Sequence, residues 1–171
     1  HGLLTFEGLK VKSALGDCDM LDTQYRNYCY DGVFMENSIV SPDEITLEKP
    51  WSFCEGLDEQ YWHNCARYMS PVFVEKTPNI ASAAIYCGKT EKEAFYKTCY
   101  ENLGYGVSQR NQGEFNKIKN ECYTIETPAG ITGCVTGAAI ETIFQEYLDW
   151  DKVSAELCTL LSMPEQHECL Q

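Results

Sequence analysis

Apolar positions recur along this chain at helical spacing, and polar capping residues cut them into short paired helices. Phe95, Cys99 and Leu103 follow at four-residue intervals, one face of a helix. Tyr25, Cys29 and Val33, with neighbouring Phe34, form a similar stripe. His1 to Val11, with Leu3, Leu4, Phe6 and Leu9, reads as helical without a cap. A helix then ends near Cys18, and a partner runs from Thr23 to about Asn37. The stretch Ser38 to Lys49 is less regular; Ser41-Pro42-Asp43-Glu44 looks like a helix start that Pro50 interrupts. Further pairs are predicted over Pro50–Leu57 with Glu59–Ser70, stopped by Pro71, and over Thr77–Cys87 with Glu91–Gly104. The last pairs are Glu114–Ile125 with Pro128–Tyr147, and a helix capped by Asp149 or Asp151 and ending at Leu161, with another from Met163. Gly104, Gly106 and Gly113 read as a connection, and Gly130, Gly133 and Gly137 as the close-packing face of a buried helix.

The cysteines turn these pairs into one repeating unit. Cys18, Asp22 and Cys29 recur as Cys54, Asp58 and Cys65; Cys87, Thr90 and Cys99; Cys122, Thr127 and Cys134; and Cys158, Ser162 and Cys169. The middle residue is of a type that accepts hydrogen bonds from the free N–H groups of a helix's first turn. Thr90 with Glu93, and Ser162 with Glu165, have the spacing of a capping box. Thr127-Pro128 adds proline at the first helical position. Each unit therefore reads as helix A, a tight turn and helix B. The two cysteines fall close enough to face each other across an antiparallel pair. Bridges Cys18–Cys29, Cys54–Cys65, Cys87–Cys99, Cys122–Cys134 and Cys158–Cys169 are expected. A pairing between hairpins, such as Cys29 with Cys54, remains open on spacing alone. Successive second cysteines lie 36, 34, 35 and 35 residues apart, the mark of a stacked repeat protein. The expected fold is all-α, a right-handed α-solenoid of about five stapled α/α hairpins in one domain, residues 1–171. The units fall near 10–37, 50–74, 78–107, 114–148 and 150–171.

Composition narrows the setting. Ten regularly spaced cysteines in 171 residues point to an oxidising compartment, hence a secreted or cell-surface protein. A net charge of −13 argues against nucleic acid, whose phosphates require a basic surface. The longest uncharged run, Thr127 to Ile140, is too short to span a bilayer, so no membrane insertion is expected. No N-glycosylation sequon is present.

Candidate chemistry is sparse. His1 could chelate copper through its α-amine and imidazole but needs a further histidine, and His63 and His167 fall in other hairpins. Asp17, Asp19 and Asp22 lack the alternation and closing glutamate of a calcium loop, and Asp22 is already explained as a cap. Cysteines with ten or more residues between them are too widely spaced for a structural zinc site. Glu55 and Glu59 read as a solvated helix face, and no nucleophile or phosphate-loop motif is found. The expectation is a protein without enzymatic activity or cofactor. Tyr25, Tyr61 and Phe95 each stand four residues before a second cysteine, the phase of core aromatics packing against the next hairpin.

The period of 34–36 residues, with Ala94-Phe95-Tyr96-Lys97-Thr98-Cys99, resembles cysteine-rich relatives of Sel1 and tetratricopeptide repeat proteins. That resemblance implies binding to other proteins or building scaffolds. Start and end of the chain share one phase of the repeat: His1-Gly2-Leu3-Leu4 matches Asp31-Gly32-Val33-Phe34. Head-to-tail assembly into a fibre, or a place in a longer tandem chain, is expected, with Leu3, Leu4, Phe6, Met163 and Leu170 as interface residues. The alternative is an extracellular small-molecule or metal-binding protein, or a secreted enzyme, using His1 and acidic surface residues.

Overall fold

The computed structural model describes residues 2–8, 10–41 and 45–170. Among them every regular element is helical. The segment expected to be helical up to Val11 divides into α1 (Leu3–Phe6) and α2 (Val11–Asp19). Gly8, at φ +63°, makes the left-handed turn between them, a conformation that costs glycine little. His1, Leu9, the Pro42-Asp43-Glu44 part of the expected helix start, and Gln171 lie outside the described residues.

Helix α3 (Thr23–Val40) runs past its expected end at Asn37. Helix α4 (Ser52–Glu55) is shorter than the Pro50–Leu57 helix foreseen. A 3-10 turn (Glu59–Tyr61) leads into α5 (Trp62–Arg67) and α6 (Met69–Glu75). Pro71 does not stop this helix. The chain bends at Tyr68 instead, so Pro71 falls third in α6, where an N–H has no intrahelical acceptor to lose. Helix α7 (Ile80–Cys87) starts later than Thr77-Pro78, because Asn79 caps it by accepting the Ser82 N–H at 2.9 Å. Helix α8 (Glu93–Asn111) continues through Gly104 and Gly106, which were expected in a loop. It ends in left-handed residues Gln112 and Gly113. Helices α9 (Phe115–Cys122), α10 (Pro128–Phe144), α11 (Trp150–Cys158) and α12 (Met163–Cys169) complete the order.

Of the five expected caps, Thr127 alone holds a first-turn N–H, that of Gly130 at 3.2 Å. Asp22, Asp58 and Ser162 stand at N-cap positions without a side-chain cap bond. Thr90 lies ahead of α8 and accepts the Lys92 N–H at 3.2 Å. The capping boxes do not form; the Ser162 hydroxyl donates to Glu165 instead.

All five disulfides pair within hairpins: Cys18–Cys29, Cys54–Cys65, Cys87–Cys99, Cys122–Cys134 and Cys158–Cys169. Cα separations of 5.6 to 5.8 Å are those of unforced bridges. Each joins the end of one helix to the next helix, so the short helices α4 and α12 are tied down covalently. Chain-entropy reasoning assigns each such loop about 3 kcal/mol.

Hairpins touch their neighbours through one contiguous core from Leu4 to Cys158. Trp51 stacks on Phe95 at 5.0 Å, meets Phe73 edge-on, and donates its indole N–H to the Tyr86 carbonyl at 3.0 Å. Polar bonds join residues about one unit apart: Asn64 to Asp31, His63 to Thr98 and Ser108 to Thr142. The closest crossing is α8 on α10. A Cβ at Gly104 would overlap the Cys134 carbonyl and lie 2.7 Å from the Ala138 nitrogen. One at Gly133 would lie 2.5 Å from the Tyr100 Cβ, and one at Gly137 would overlap the Glu101 carbonyl. Glycines let these backbones touch, as expected of Gly133 and Gly137 but not of Gly104.

Candidate functional site

The second helices of successive hairpins touch one another, α3 with α5 and α6, these with α8, α8 with α10, and α10 with α12. Three depressions run together there. A cleft of about 370 Å³ lies between α8, α10 and α12, with Tyr96, Lys97, Glu101, Thr136, Glu165 and Glu168 in its walls. It shares Thr136 and Glu168 with a shallower depression of about 300 Å³ over Ile140, Ile143 and Phe144. Ile140 and Phe144 pass into a third, of about 330 Å³, closed by Arg67, Tyr68, Asn102, Tyr105 and Glu141. The three make one groove across α5, α8, α10 and α12.

Chemistry in the groove follows from which groups keep water and which lose it. Burial pushes the Glu101 carboxyl above its ordinary range, against the pull of Lys97 and Arg67. Among the described residues no side-chain hydrogen bond reaches it. Glu141 is only 6% exposed, but Gln109 and Gln145 donate to its Oε1 at 2.7 and 2.8 Å. Arg67 donates to Asp31 at 2.9 Å and keeps donors facing the groove. Burial also raises the Tyr68 and Tyr105 phenols, which stay neutral donors at ordinary pH. Five carboxylates, Glu93, Glu101, Glu141, Glu165 and Glu168, face two cations, Arg67 and Lys97, across aromatic walls. This surface favours a cationic, partly apolar occupant.

The residues singled out by sequence disperse. Leu4 is 0% exposed and sits in the core, not on an interface; α1 folds it against α3. Leu3 is partly buried, whereas Phe6, Met163 and Leu170 are 84%, 78% and 56% exposed. Tyr61 and Phe95 are core aromatics, but Tyr25 is 54% exposed and drops out of its stripe; Tyr30 takes the core place on α3. Asp19 accepts from the Tyr30 and Tyr61 hydroxyls, both at 2.5 Å. Those bonds hold its carboxyl below the usual range, so it is a latch between hairpins. His63, on the exposed side of α5, places Nδ1 3.2 Å from the Thr98 hydroxyl; partial desolvation and nearby Arg67 lower its pKa. His167 is exposed on α12, and His1 lies outside the described residues. Glu55 and Glu59 are exposed. Among the described residues no three His, Cys, Asp or Glu side chains gather to hold a metal, and no helix is long and apolar enough to cross a membrane.

Sequence reasoning missed Arg67, Tyr105, Glu101 and Glu141. The one signal for them was Glu141 four residues before Gln145, a spacing that lets an amide reach a carboxylate. Compared with known proteins, the chain matches no protein family, no curated protein and no solved structure.

Proposed function

We propose that this chain is an extracellular array of stapled helical hairpins, a right-handed solenoid, that binds another protein along the groove of its second helices and carries out no chemistry itself. Five bridges in a chain this size fit an oxidising compartment. Polar bonds repeating at one-unit separation fit hairpins stacked in a constant register, as in Sel1 and tetratricopeptide arrays. The observation that carries the binding role is the groove itself, continuous over four helices and lined by carboxylates and aromatic rings. Its occupant is a basic segment with apolar residues between its cations. Cations meet Glu101, Glu165 and Glu168, while side chains rest on Tyr96, Tyr105 and Phe144.

A labelled peptide of alternating lysine and leucine, and its glutamate–leucine counterpart, test this by fluorescence anisotropy. The basic peptide should bind, weaken as salt rises, and lose about tenfold in affinity against Glu101→Gln, roughly one charge-assisted contact. Equal binding of the acidic peptide, or none of the basic one, would refute the assignment.

A further inference from the structure

A cavity of about 420 Å³ opens between α7 and the turn that joins α9 to α10. It shares no wall residue with the groove. Ala81 and Ala84 of α7 and its C-cap Gly88 line it at helical spacing, and their small size leaves the space open. Ile85 and Ile125 add apolar walls.

Tyr100 gives this cavity its chemistry. It reaches the cavity from α8 and is only 4% exposed. Its ring passes through a slot cut by glycines. A Cβ on Gly133 would lie 2.5 Å from the Tyr100 Cβ, one on Gly130 3.1 Å from its Cε1, and one on Gly88 2.7 Å from its hydroxyl oxygen. The slot ends at the cavity, which Tyr100 and Gly88 both line. Among the described residues no hydrogen bond reaches that hydroxyl. Buried tyrosine hydroxyls ordinarily have a partner. Tyr30 and Tyr61, buried to the same degree, both donate to Asp19. A phenylalanine would fill the slot equally well, so packing does not account for the hydroxyl.

The other polar groups set the class of ligand. The Asn79 side-chain carbonyl accepts the Ser82 N–H, and the Thr127 hydroxyl accepts the Gly130 N–H. Glu126, exposed, is the one charged side chain among the wall residues. A carboxylate there, on a chain of net charge −13, disfavours anions. Apolar walls with one inward hydroxyl suit an apolar body that carries a single acceptor oxygen.

We propose that this cavity binds a small uncharged organic molecule whose carbonyl oxygen accepts a hydrogen bond from Tyr100. Its body rests against Ala81, Ala84, Ile85 and Ile125. The site uses none of the groove's residues, so it stands independently of the protein partner assigned there.

Prodan tests it. This neutral naphthyl ketone emits further to the blue in apolar surroundings and further to the red when its carbonyl accepts a hydrogen bond. Titration with the 171-residue chain should brighten it and shift it to the blue. Tyr100→Phe should weaken binding about fivefold, one neutral hydrogen bond, and move the bound emission further to the blue. The same change should leave the melting temperature unaltered or raise it. A lower melting temperature would show that the hydroxyl serves the fold and would overturn the proposal. Ala81→Leu, at a partly exposed position, narrows the cavity and should weaken binding with the fold retained by circular dichroism. No binding to the unaltered chain, or binding that both variants leave unchanged, overturns the proposal. So does displacement of prodan by the lysine–leucine peptide, which would place the probe in the groove.

Discussion

Replacing Gly137 by alanine tests whether the α8–α10 crossing is held by backbone contact. In an open helix the change should help, because alanine is favoured over glycine by about 1 kcal/mol. At Gly137 the new Cβ would overlap the Glu101 carbonyl oxygen and lie 2.6 Å from its carbon and 2.8 Å from the Glu101 Cα. No side chain can rotate away, since every atom it meets is backbone. The helices must move apart, and Gly104 and Gly133 hold them equally close on either side. Overpacking of this kind costs about 3 kcal/mol at its upper typical range. After the gain in propensity the net loss is about 2 kcal/mol, or roughly 4–8 °C in melting temperature for a chain of this length. Gly16 is the internal control. It lies inside α2, exposed, with nothing within 4 Å of an added Cβ, so Gly16→Ala should stabilise by about 0.5–1 kcal/mol. Urea unfolding followed by circular dichroism measures both. If Gly137→Ala matched or exceeded the stability of the unaltered chain, the close crossing would be wrong.

Three further outcomes are expected. Glu101→Gln should raise stability at neutral pH while weakening the groove; burial raises this carboxyl, so its ionisation opposes folding as pH climbs through the folded value, and the variant should flatten that dependence in melting curves. The Asp19 latch should show in both pH limits. Its folded pKa is depressed, so its contribution is present above the ordinary 3.8 and lost as pH falls through the folded value; Tyr30, raised to about 12, contributes fully below 10 and is lost as pH rises toward 12, and Tyr30→Phe should reduce the alkaline loss in denaturation curves, leaving the share of Tyr61, Tyr68 and Tyr105. Mild reduction should open Cys18–Cys29 and Cys158–Cys169 first, because Cys29 and Cys169 are partly exposed while Cys54, Cys65, Cys87, Cys99, Cys122 and Cys134 are buried; alkylation and mass mapping would show the order, and Cys158→Ala with Cys169→Ala should cost about 3 kcal/mol.

The cysteine phase was legible without coordinates because it is local. A bridge spanning eleven or twelve residues across one turn needs only two helices and a bend, and every term of that argument is in the sequence. The same holds for the all-helical class and for Phe95, Cys99 and Leu103, each 2% exposed or less. Tertiary structure decided the rest where a residue's role depends on what lies across from it. Gly104 and Gly106 resemble loop glycines until α10 is placed against α8, and then Gly104 proves to be a point of backbone contact between the two helices. Pro71 looks like a stop, yet a bend one turn earlier turns it into a first-turn residue. Tyr25 and Tyr61 share one phase, but Tyr61 meets Tyr30 at 5.1 Å while Tyr25 lies on an outer face and stays in water. The groove is the extreme case. Arg67, Glu101 and Glu141 come from three hairpins, and no local pattern announces that α5, α8 and α10 bring them to one surface. Sequence determined the unit and its staples, because those depend on neighbours along the chain; stacking determined the surface, because it depends on neighbours in space.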